Sequence, residues 1–168
     1  LRRRLGDLRF VGLDRSLPLL KARPDSAFLK IYGDAQILPF ASGVADAIVA
    51  TAIIEHLPEP EVMVRECARV LRPGGLIVET TPEPTMEHLA SKLGILKESG
   101  HQHTFNIKQL RQMFSANGFD IVASHKFMFS PIGFPGEKLI ERLFGPLGLR
   151  LLMANQLLVG RRRRVVHK

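Results

Sequence analysis

The 168 residues are 45% hydrophobic and carry a formal net charge of +8 and a single cysteine, Cys67. That length and apolar content suit one globular domain, residues 1–168, with a sizeable core. No apolar run approaches the eighteen or so residues of a membrane span, no signal peptide is legible, and one cysteine forms no internal disulfide, so a cytoplasmic setting is expected. The charge is unevenly placed. Arg2–Arg4, Arg161–Arg164 and Lys168 account for the whole excess, and the sixteen other basic residues are matched by sixteen acidic ones. Basic ends on a neutral body speak against a nucleic-acid surface; the partner they would suit is an anionic membrane, touched peripherally.

Leu1–Gly6 reads as the last turn of a helix closed by Gly6. Arg9–Leu13 is an apolar strand with Asp14 at its tip, followed by a short helix over 16–22 with Ser16 as its N-cap. Phe28–Tyr32 is a second strand, ending at Gly33-Asp34. Ala45–Ala52 is nearly all apolar, as expected of a parallel strand covered on both faces. Val64, Cys67, Ala68 and Leu71 recur at helical spacing between Pro60 and Pro73, which places Cys67 in the core and not in a nucleophile's role. Gly74-Gly75 is expected to end that helix, and Leu76–Thr80 to form the next strand. Met86, Leu89, Leu93 and Leu96 mark a further amphipathic helix. Beyond the polar loop "KESGHQHTF", a helix over Ile107–Asn117 is capped by Asn106 and stopped by Gly118, and Phe119–Ser124 is a strand. Residues 126–153, rich in Phe, Gly and Pro, read as a substrate-side insertion before a last strand near Gln156–Gly160.

The order β-α-β-loop-β-α-β predicts an α/β fold: a doubly wound, mostly parallel, Rossmann-like sheet. Ligands of such sheets bind outside the strand C-termini, where Asp14 and Asp34 both stand. A carboxylate can accept from two vicinal ribose hydroxyls or from an exocyclic amine, and the N–H of Ala35 can meet a ring nitrogen. Taken singly, each acid suits an ordinary turn equally well. His101 and His103 form an H-x-H in a polar loop. With no cysteine or acid cluster at ligand spacing, no metal is expected there; the pair are general-base candidates, and otherwise solvated loop.

The blocks "GLDRS", "GDAQILPFASGVADAIVATAIIEHLPEP" and "ECARVLRPGGLIVETTP", followed by "GHQHTFNIKQLRQMFSANGFDIV", resemble consecutive motifs of class I S-adenosylmethionine-dependent methyltransferases, most closely the methyltransferase type 11 group. The resemblance spans about residues 6–125, with Ala45 where an aromatic is usual. It implies S-adenosylmethionine as cofactor, an antiparallel last strand, and methyl transfer to a small-molecule or lipid-like acceptor. It also implies that Asp14 and Arg15 lie at the ribose, Asp34 and Ala35 at the adenine, Thr51 beside the methionine moiety, and His56 on the pocket's inner wall.

The group's first strand and glycine-rich turn have no counterpart in this sequence. That strand lies centrally in the group's sheet, so the chain is expected to be an N-terminally incomplete domain that folds poorly alone. Two other readings compete. A nicotinamide-dependent oxidoreductase also carries an acid after its second strand, but has no use for Asp34-Ala35 or "RVLRPGG". A catalytically degenerate interaction module fits the missing glycine turn, but not the retained acids.

Overall fold

The computed structural model describes residues 8–22, 28–85, 88, 101–127 and 155–164. The helix expected at Met86–Leu96, all but the first two residues of the 126–153 segment, and Arg2–Arg4 lie outside these.

Strand β1 (Val11–Asp14), helix α1 (Leu17–Ala22) and strand β2 (Leu29–Tyr32) form a first unit. The two strands pair in parallel, Val11 opposite Leu29 and Asp14 opposite Tyr32. Ser16 caps α1 weakly: its hydroxyl accepts from Leu19 N–H at 3.4 Å. Strand β3 (Ala45–Thr51) leads through a 3-10 turn (Ile54–His56) into helix α2 (Pro60–Val70), then strand β4 (Leu71–Pro82). Helix α3 (Ile107–Ala116), β5 (Phe119–Phe127) and β6 (Asn155–Arg162) complete the described elements. A four-stranded sheet runs β3-β4-β6-β5, with β3 and β4 parallel and β6 antiparallel to both β4 and β5. This is the expected mostly parallel, Rossmann-like α/β sheet with an antiparallel last strand.

Local chemistry sets the helix ends. Pro60 opens α2, Glu61 lies in its first turn and Arg69 in its last, each complementing the helix dipole. The helix stops at Val70, earlier than Gly74-Gly75 suggested, because Leu71 is already extended and Pro73 follows. The glycines serve a bulge instead. Pairing with β3 jumps from Ala45–Leu71 to Ala47–Leu76, and Gly74 turns through φ +84°. A Cβ on Gly75 would lie 2.9 Å from the Arg72 carbonyl and 3.1 Å from that of Asp46. In α3, Asn106 and Gln109 form a full capping box, each side chain accepting from the other's backbone N–H. Gly118 leaves the helix at φ +91°.

Helices α2 and α3 bury Met63, Val64, Cys67, Leu110 and Phe114 against Ile77, Phe119 and Leu158 of the sheet. The other side of β3 differs from expectation. Val49 is 69% exposed, so among the described residues this strand is not covered on both faces. Strand β1 pairs with β2 and β3 with β4, so each has one edge without a ladder partner among the described strands.

Candidate functional site at the strand C-termini

The parallel pairing of β1 and β2 delivers Asp14 and Asp34 to one edge, with Gly33 N–H donating to the Asp14 carbonyl at 3.1 Å. Each acid also performs the ordinary turn role. Asp14 Oδ1 accepts from Ser16 N–H, and Asp34 Oδ1 from Gln36 N–H, both at 2.8 Å. One oxygen of each carboxylate is thereby used to hold its loop. The second oxygen of Asp34 lies 3.6 Å from Arg15 Nη1, a largely exposed pair that water screens. Ala35 is buried and joins the same core as Ile54 and Leu57.

What presses this loop onto the core is α2. Glu66 Oε2 accepts from Leu38 N–H at 2.9 Å, and Arg69 donates to the carbonyls of Phe40 and Leu38 at 2.7 and 3.0 Å. The Arg69 guanidinium, by hydrogen bonding first, holds the Glu66 carboxyl below the usual glutamate range against the opposing effect of burial.

The second cluster starts where β3 ends. Thr51, opposite Thr80, is exposed, and Ala52 takes φ +50°, an unusual conformation for a residue with a Cβ. The bend turns the chain into the 3-10 turn, which buries Ile54 and Glu55 and leaves His56 exposed. The H-x-H loop is hung on this turn: Gln102 and His103 N–H groups both donate to the Glu55 carbonyl, at 2.9 and 3.1 Å. The loop histidines thus separate. His101 lies edge-on to His56, ring centroids 4.6 Å apart, whereas His103 stacks near Phe105 and places Nε2 3.3 Å from the Pro58 carbonyl.

Three acidic or hydroxyl groups here escaped the sequence reading. Glu55 is 1% exposed; one of its oxygens accepts from Thr81 Oγ1 at 3.1 Å, and Oε1 is buried without a hydrogen-bond partner. Glu79, fully buried on β4, has neither oxygen hydrogen-bonded. Desolvation foremost, then the nearby Glu55 charge, pushes its carboxyl well above the ordinary glutamate value. A glutamate inside the apolar run "LIVETT" was the available signal. Folding also places the ligand atoms of Glu55, His56 and His101 within 4.8 Å of one another, so the H-x-H has an acid beside it that linear spacing concealed. Cys67 is core, as expected, and burial raises its thiol to about 12.

Arg161–Arg164 sit at the other end of the sheet, where they line a cavity with Gly74, Leu76 and Asp120. Two of the four are structural. Arg162 donates to the carbonyls of Leu71 and Arg69, and Arg163 to the Asp120 carboxylate at 2.8 Å.

Residues 1–79 match the family model of a methyltransferase domain. The chain is 34% identical over 94 residues to malonyl-(acyl-carrier protein) O-methyltransferase 1 of Coxiella burnetii, covering 55% of this chain and 31% of that protein. It is 41% identical over 80 residues to demethylmenaquinone methyltransferase of Renibacterium salmoninarum, covering 45% and 33%. The match thus spans about a third of the length of these relatives. A solved chain from the complex between the Haloferax volcanii Trm112 methyltransferase activator and a methyltransferase shares the fold. It superposes with a TM-score of 0.73 at 19% identity, over 99% of this chain and 77% of that one. Residues 1–79, a little under half of the chain, are thus similar to methyltransferase domains, and the mostly parallel sheet with its antiparallel last strand shares the fold of solved class I S-adenosylmethionine-dependent methyltransferases.

Proposed function

We propose that the chain binds S-adenosylmethionine at the Asp14–Asp34 edge and serves methyl transfer to a small-molecule or lipid-like acceptor. The observation that carries this reading is the pairing of β1 with β2, which sets two half-buried carboxylates at adjacent strand ends. Each has an oxygen beyond the one its turn uses. That acceptor set suits the cofactor: Asp14 takes the ribose hydroxyls, Asp34 the adenine amine, and the Ala35 N–H a ring nitrogen. Arg15 flanks Asp34, and Thr51 and His56 line the route toward the reacting methyl. Bound there, the sulfonium supplies an already activated methyl group. The chain's own task is then to hold the donor and acceptor in line and exclude water. His103 turns its Nε2 to the Pro58 carbonyl, whereas His101 lies beside His56.

The relatives named for malonyl-(acyl-carrier protein) and demethylmenaquinone support an acceptor of this class. Arg161 and Arg164, at the far edge from the acids, would contribute a peripheral contact with an anionic membrane without touching the acceptor. Calorimetric titration of the full chain with S-adenosylmethionine and, separately, with NAD tests the cofactor reading. Binding of the first and not the second is expected; the reverse would favour an oxidoreductase.

A further inference from the structure

We propose that Glu55, His56 and His101 form a binding site for one divalent transition-metal ion, with zinc the ion of matching chemistry. One carboxylate and two imidazoles are a donor set that zinc takes in open sites, with a further position left to water or an acceptor oxygen. The ligand atoms already lie within 4.8 Å of one another. A tetrahedral ion about 2.0–2.1 Å from each ligand needs them about 3.3 Å apart. His56 is exposed and His101 only partly buried, so small ring rotations close the difference.

Two further features point to a ligand here. Glu55 Oε1 is buried without a hydrogen-bond partner, while Thr81 holds the other oxygen at 3.1 Å and so fixes the carboxylate's orientation. A buried acceptor left unpaired is costly, and a cation at this position removes the cost. In addition, the backbone of Glu55 itself anchors the loop that carries His101, through the N–H groups of Gln102 and His103. The 3-10 turn and the loop are therefore already joined before any ion arrives. The site lies just past the end of β3, next to Thr51. An ion there would take His101 as a ligand and remove it from general-base duty.

The test is calorimetric titration of the chelator-treated full chain with zinc chloride, repeated with cobalt(II) to read ligand-field bands in the visible. One equivalent is expected to bind, with weakening of at least about tenfold in both Glu55→Gln and His101→Ala, and no change in His125→Ala. Zinc should also raise the melting temperature of the wild type but not of His101→Ala. Because Glu55 is buried, its variant is read only where circular dichroism matches the wild type; His101→Ala alters a loop and decides the matter by itself. Absence of stoichiometric binding, or binding that His101→Ala leaves unchanged, overturns the proposal. The titration contains no S-adenosylmethionine, so either result leaves the cofactor reading where it stood.

Discussion

Glu66 and Arg69, one helical turn apart, meet in a two-pronged ion pair, with Nε to Oε1 at 2.7 Å and Nη2 to Oε2 at 2.8 Å. Because the same two side chains grip the backbone of Leu38 and Phe40, the pair fastens the Asp34–Ala35 loop to α2. The Glu66 carboxyl is held below its ordinary value, so its folded value lies under its unfolded one. Its stabilisation is then complete above the ordinary glutamate range and is lost as pH falls through the lowered folded value, below about pH 4.5. Glu66→Gln should cost about 1 kcal/mol at neutral pH, after allowance for partial exposure, and should flatten the acid limb of a pH-dependent melt. An unchanged acid limb would mean that the pair does not hold the loop.

Glu79 carries the opposite sign. Its folded value is raised above the unfolded one, so it opposes folding progressively as pH rises from the ordinary glutamate range toward that raised value. Glu79→Gln should therefore stabilise the chain at pH 7–8 by about 1–3 kcal/mol and remove this slope. Denaturant melts at pH 5 and pH 8 compare the two forms. Equal stabilities at both pH values would show that the carboxyl finds a partner in solution.

Asp14→Ala should weaken S-adenosylmethionine binding by about 2 kcal/mol, the scale of lost hydrogen bonds to a charged group. Since Asp14 also closes its own turn onto Ser16, Asp14→Asn separates the two roles. It keeps an oxygen for the turn and loses the charge, so affinity should fall with little change in melting temperature. Unaltered affinity in both variants removes Asp14 from the site.

Ala52, at φ +50°, joins β3 to the turn that carries Glu55 and His56. A β-branched residue tolerates this conformation worst, so Ala52→Val should destabilise by about 1–3 kcal/mol, whereas Ala52→Gly should be nearly neutral. Thermal unfolding of the two variants, side by side, checks the order. A harmless valine would show that the bend relaxes.

Arg161 and Arg164 should mediate any binding to anionic vesicles, because Arg162 and Arg163 are occupied by backbone carbonyls and Asp120. Replacing either with Ala should reduce salt-sensitive vesicle association about fivefold and leave S-adenosylmethionine affinity unchanged. Co-sedimentation with vesicles at two salt concentrations measures this. A larger effect from Arg163→Ala at equal stability would contradict this division.

Local chemistry was enough to read much of the chain. Asn106, Pro60 and Gly118 mark helix ends through backbone donors and φ values that are satisfied within a few residues. Asp14 and Asp34 were legible as strand-end acids because strand and turn alternate in a fixed order along the chain. The 3.6-residue spacing likewise placed Cys67 inside. The tertiary structure alone decided what depends on distant segments meeting. Helix α2 ends before the glycines because β3 draws Leu71 into its ladder, and Gly75 must pass close to the Asp46 carbonyl. Glu55 and His101 stand forty-six residues apart, and nothing in their spacing ties them together. They become neighbours only because the Glu55 carbonyl, in the 3-10 turn beyond β3, needs donors that the 101–103 loop supplies.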